Sequence, residues 1–138
     1  MIKHTFRLPN YDWTVKAFYV VTRVQAEEVM NALVSIGCEG SSLRRAWRNL
    51  NSGELDTGLT YSNEELHKSV MVFAKTSSAR EFQQSYQHEI GHLKDHIASE
   101  YGISPHGEEI QYLGDEIIAA TWDVAHNLLC DCCKRHKI

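Results

Sequence analysis

The sequence predicts an α+β domain in which a small, mostly antiparallel sheet packs on a long helix that is followed by a second helix. Three observations carry that prediction. Residues 13–21 alternate with period two, as a half-buried strand does. Two long segments after residue 78 carry apolar residues at helical spacing instead. The 138 residues suit one domain able to bury a sizeable core. The expected organisation is therefore a single domain over 1–138 with a frayed tail from about 130.

In chain order, Met1-Ile2-Lys3-His4-Thr5-Phe6-Arg7 lacks the apolar core of a signal peptide. Trp13, Val15, Ala17, Tyr19 and Val21 alternate with Thr14, Lys16, Phe18 and Val20 to give the first strand. Gln25 to Ile36 places Val29, Leu33 and Ile36 on one side of a helix that Gly37 ends. Ala46–Leu50 reads as a strand, with a turn at Asn51-Ser52-Gly53. Gly58–Tyr61 and Ser69–Ala74 read as two further strands joined by Ser62-Asn63-Glu64-Glu65.

The long helix opens with Ser78-Ala79-Arg80-Glu81, a capping box, and should stop at Gly102. Phe82, Tyr86, Ile90, Leu93, Ile97 and Tyr101 form its buried stripe, with Ser85, His88, His92 and Ser99 opposite. Inside it stands His88-Glu89-Ile90-Gly91-His92, a complete H-E-x-x-H. Residues four apart share a helix face, so His88 and His92 can hold one metal ion while Glu89 handles the proton of a water beside it. That is the zinc-metallopeptidase pattern, with zinc as the expected cofactor. The competing reading is a pair of solvated histidines on a polar face, in a chain with eight His. His96 continues the row, but three histidines at this spacing span about 12 Å. It is therefore read as a neighbour of the site or a cleft residue.

Ser104 and Pro105 predict the N-cap and first residue of the next helix, running to about Leu129. So short a connection makes the helices close neighbours and brings Glu108 and Glu109 forward as a third ligand, giving a His2Glu set with one open position. Acidic residues in a first helical turn also complement the helix dipole without any metal. Ile110, Leu113 and Ile117 define an apolar face nearer Glu109, whereas Tyr112, Ala119 and Trp122 form a second stripe in line with Glu108.

Thr57-Gly58-Leu59-Thr60-Tyr61-Ser62-Asn63, Ser69–Phe73, the HExxH helix and Gly107-Glu108 followed by Tyr112-Leu113 together resemble a group of short zincin-like proteins of HExxH, gluzincin type. That group is associated with phages and mobile elements of gut Bacteroides-type bacteria. The likeness covers roughly residues 55–120 and is specific at the HExxH and the Gly-Glu…Tyr-Leu segment; Gly114 departs from the spacing. It implies a minimal zincin in which the sheet packs on the metal-bearing helix and its edge strand receives an extended peptide. The Glu four residues before the Tyr carries over, which selects Glu108 with Glu109 as runner-up.

Composition narrows the partners. A net charge of −4 with mixed signs gives no electrostatic reason to expect nucleic acid. Arg44, Arg45 and Arg48 around Trp47 read as an exposed strand. No apolar run approaches a membrane span, so a cytoplasmic protein is expected. Cys38 reads as a small buried hydrophobe. Cys130, Cys133 and His136 resemble half of a minor metal site, against a reading as reduced tail thiols.

Two functions follow as expectations. In the first, a zinc metallopeptidase cleaves a peptide or protein, with His88, His92 and Glu108 as ligands and Glu89 as base. His96, His106 and Tyr112 are then the available donors to the transition state. In the second, a zincin-fold binding or regulatory module keeps a structural zinc and turns over little. The substrate and the oligomeric state are not written in the sequence.

Overall fold

The computed structural model describes residues 1–52 and 58–131. Gly53 of the expected turn, Thr57, and the tail residues Cys132, Cys133 and His136 lie outside them. The strands are β1 (Ile2–Leu8), β2 (Trp13–Val21), β3 (Gly58–Asn63) and β4 (Lys68–Ala74). The helices are α1 (Ala26–Ser35), α2 (Gly40–Ser52), α3 (Ala79–Tyr101) and α4 (Glu108–Leu128).

The architecture is α+β with a mixed sheet of order β1-β2-β4-β3. β1 and β2 form an antiparallel hairpin, and β3 and β4 form another. The hairpins join through a parallel β2–β4 pairing that aligns Ala17 with Met71. Parallel neighbours need a long crossover, which α1, α2 and β3 supply. β3 and β1 are the two edges.

Both faces of the sheet are covered. Trp13, Val15, Ala17, Tyr19, Met71 and Phe73 pack with Leu93 and Ile97 of α3 and Leu113 and Ile117 of α4. Phe18, Val70 and Val72 pack on the other side with Val29 and Leu33 of α1 and Leu50 of α2. Each fully buried Leu or Ile of these layers contributes about 1.5–3 kcal/mol. The period of two in β2 breaks once: its register against β4 shifts between Phe18 and Val21. Val20 takes a left-handed φ of +60° there. The shift turns Val21 onto the Phe18 side, as an extra residue in a strand must.

Four sequence expectations are corrected. Residues 40–52 are helix, not strand, because Ala46 and Leu50, four apart, bury the same side against the α1 layer while Trp47 stays exposed. β1 was not expected at all, being an edge strand with little apolar alternation before Phe6. The second capping contact of α3 moves by one residue: Ser78 Oγ accepts from Glu81 N at 3.2 Å, but the Glu81 carboxylate accepts from Ser77 N at 2.9 Å. Finally, α4 starts at Glu108 with Gly107 as N-cap. Ser104 instead closes a local turn by accepting from His106 N at 3.2 Å, so Pro105 sits in that turn.

Candidate functional site

α3 crosses beneath β3, and strand alternation decides which residues meet. Gly58, Thr60 and Ser62 face α3, whereas Leu59 and Tyr61 pack toward α1 and α2. Gly58 is required at the start of the strand. Its φ is +151°, and a Cβ there would run into the Val72 carbonyl oxygen and reach Glu89 Cγ at 3.4 Å.

Glu89 is 1 % exposed. Burying a carboxylate is costly without donors, and Thr60 Oγ1 donates to Glu89 Oε1 at 2.8 Å. Thr60 thereby fixes one oxygen of the HExxH glutamate from the strand above it.

His88 and His92 stand on the exposed side of the same helix, their rings edge-on at 86°. Their Nε2 atoms are 3.1 Å apart. Two ligands at the usual zinc–nitrogen distance on a tetrahedral ion lie roughly 3.3 Å from each other, so the pair has the reach of two such ligands. The chemistry of the donors, two imidazole nitrogens, also suits zinc.

His96 is tied to the strand. Trp13 Nε1 donates to Ser69 Oγ at 2.8 Å, Ser69 Oγ lies 2.7 Å from Ser62 Oγ, and Ser62 Oγ lies 2.6 Å from His96 Nδ1. Indole N–H can only donate, so both hydroxyl protons can point along the chain toward His96. That order leaves Nδ1 accepting and the ring proton on Nε2. Burial, and then the nearby His92, push the His96 pKa down, which keeps the ring neutral near pH 7.

Other expected residues stand apart from the pair. Among the described residues, no group of three His, Cys, Asp or Glu could hold a metal ion. Neither Glu108 nor Glu109 therefore joins His88 and His92. Both are exposed in the first turn of α4, and Glu109 lies close enough to Tyr11 to add to the rise in its pKa that burial causes first. Geometry explains the separation. α4 packs on the flank of α3 where Lys94 Cδ would lie 3.1 Å from a Cβ on Gly114. At 3.6 residues per turn, His88 and His92 point roughly 130° away from Gln87 and Lys94.

The second stripe expected on α4 is not buried: Tyr112 is 62 % and Trp122 49 % exposed. Tyr112 and His106 are surface residues, and Ser85, expected among the polar residues, is buried. Cys38 is buried and Cys130 is exposed; Cys133 and His136 lie outside the described residues. Sequence reasoning missed Gly58, Thr60, Ser62, Ser69 and Trp13. A signal existed in the run of small or polar residues at alternate positions of β3, unusual for a face that covers a helix.

No protein-family model, curated protein or solved structure matches the chain. No helix among the described residues is long and apolar enough to cross a membrane.

Proposed function

We propose that the chain is a zinc-dependent hydrolase of extended peptides. His88 and His92 are ligands, Glu89 is the proton acceptor, and β3 is the strand beside which the peptide lies. One observation carries the reading: two imidazole nitrogens converge to 3.1 Å beside a glutamate that the edge strand holds by Thr60. Zinc bound there would supply Lewis acidity toward a carbonyl and acidify a water. Glu89 would accept that water's proton, with Thr60 keeping its carboxylate aligned. His96, neutral and anchored to Ser62, would present Nε2–H as a hydrogen-bond donor. The main-chain groups along the outer edge of β3 would pair with the peptide backbone.

Zinc titration of the full chain with Cys130, Cys132 and Cys133 replaced by Ser tests the reading. One equivalent should bind. His92→Ala should cost more than the roughly 10–100-fold typical of an outer-shell partner, while Glu89→Gln retains the metal. Glu108→Ala and Glu109→Ala should leave affinity unchanged, since α4 points them elsewhere; a sharp loss in Glu108→Ala would restore the His2Glu set. Peptide hydrolysis should fall at least about 100-fold in Glu89→Gln.

A second reading is a binding module on the same scaffold. It is favoured by the 1 % exposure of Glu89 and by the lack of a third ligand among the described residues. Zinc binding without any Glu89-dependent turnover would select it.

A further inference from the structure

A polar cavity of about 180 Å³ lies between α2 and β3, lined by Ser42, Arg45, Asn49, Thr60 and Tyr61 over an apolar base that includes Leu33. Small-molecule sites usually occupy roughly 300–1,000 Å³, so this volume suits a single side chain. Thr60, Leu59 and Tyr61 are consecutive, and all three line it. The cavity therefore reaches the main chain of the edge strand as well as its side chains.

Its chemistry is one-sided. Ser42, Arg45, Asn49 and Tyr61 each carry a donor, and no carboxylate is among the described residues that line it. The three ion pairs among the described residues are Lys3–Glu28, Arg7–Asp12 and His67–Glu100, which leaves Arg45 without an acidic partner there. Among the described acidic residues, Glu39 is near enough for its charge to reach Tyr61, behind the larger effects of burial and Cys38. A guanidinium beside hydroxyl and amide donors is a carboxylate-binding set.

We propose that this cavity receives an acidic side chain, Asp or Glu, of a peptide added as a strand to the outer edge of β3. The proposal rests on the reading of β3 as the peptide's neighbour. Successive side chains of an added strand point to opposite faces. Those directed toward α3 pass the His88–His92 side, and those directed toward α2 pass Arg45. The acidic requirement therefore falls at one position, with its immediate neighbours facing away from the arginine.

A positional-scanning library of N-acetylated, fluorescein-labelled hexapeptides tests this by anisotropy with the full chain. A chelator is present so that nothing is cut. Asp and Glu should bind at least tenfold more tightly than Gln, Asn or Lys at one position, with no acidic preference at the positions on either side. Arg45→Gln should abolish that preference and Arg45→Glu should reverse it toward Lys. Arg44→Gln, exposed on the same helix but outside the cavity, should leave it intact. Absence of an acidic preference, its survival in Arg45→Gln, or failure of every peptide to bind overturns the proposal. Zinc affinity is measured separately, so a chain that selects acidic peptides yet binds no zinc keeps this site and loses the hydrolase reading.

Discussion

Thr60→Val isolates the contact by which the edge strand controls the HExxH glutamate. Valine keeps the β-branched shape that suits a strand and opens no cavity, but removes the hydroxyl that donates to Glu89 Oε1 at 2.8 Å. The acceptor is 1 % exposed, so water cannot take the place of the lost donor. A hydrogen bond to a charged group is worth about 1.5–3 kcal/mol, which for a chain of this size corresponds to a fall in Tm of roughly 5–12 °C. Thermal melts followed by circular dichroism at pH 7 measure it. The same substitution in a Glu89→Gln background should cost only about 0.5–1.5 kcal/mol, the worth of a neutral hydrogen bond. The difference between the two losses is the coupling energy of the pair. A melting shift under about 2 °C would refute the argument, and so would an equal loss in both backgrounds. Either result would mean that Thr60 does not hold the carboxylate.

Two further stability predictions use other features. Gly58→Ala should cost about 2–6 kcal/mol in urea denaturation, combining a strained φ with overpacking against the Val72 carbonyl. Gly40→Ala, at φ +63° with open space around it, should cost only about 1–2 kcal/mol. Burial raises the pKa of Tyr11, Tyr19, Tyr61 and Tyr86 in the fold. Their contribution is therefore complete below the unfolded value of about 10 and is lost as pH rises beyond it. In a base titration read at the tyrosinate absorbance, Tyr19 and Tyr86 should ionise only together with loss of the circular dichroism signal. Their ionisation before unfolding would contradict the burial argument.

The parts of the fold legible in the sequence are those whose physics is local. Ser78 and Gly102 bracket α3 because a cap and a left-handed stop need only neighbouring residues, and both are where the sequence places them. The β2 alternation shows because one strand covers its face with large side chains. α2 was misread for the opposite reason. Its charged residues hide the spacing of Ala46 and Leu50, and the exposed Trp47 beside them imitates strand alternation. The β2–β4 pairing is parallel through a crossover that no local signal announces. The start of α4 was set too early because Ser104 and Pro105 serve a tight turn as readily as they serve a helix.

The candidate site divides along the same line. HExxH encodes a relation within one helix, so the histidine pair and the adjacent glutamate follow from spacing alone. Where a third group would come from is a relation between helices, fixed by the angle at which α4 meets α3. Short connections make two helices neighbours, but they do not choose which flank is shared. Here the shared flank is the one with Lys94 and Gly114, and the histidines are left facing away from α4. The element that meets the motif instead is β3, whose Gly58, Thr60 and Ser62 supply close approach, a donor to Glu89 and an anchor for His96. A strand so placed ends the sheet, with one edge bonded to β4, α3 on one face and the α1–α2 layer on the other. On the proposed function, the chemistry of the motif and the selection of a peptide would be coupled through a single strand. Substitutions in β3 should disturb both, whereas substitutions at Glu108 should disturb neither.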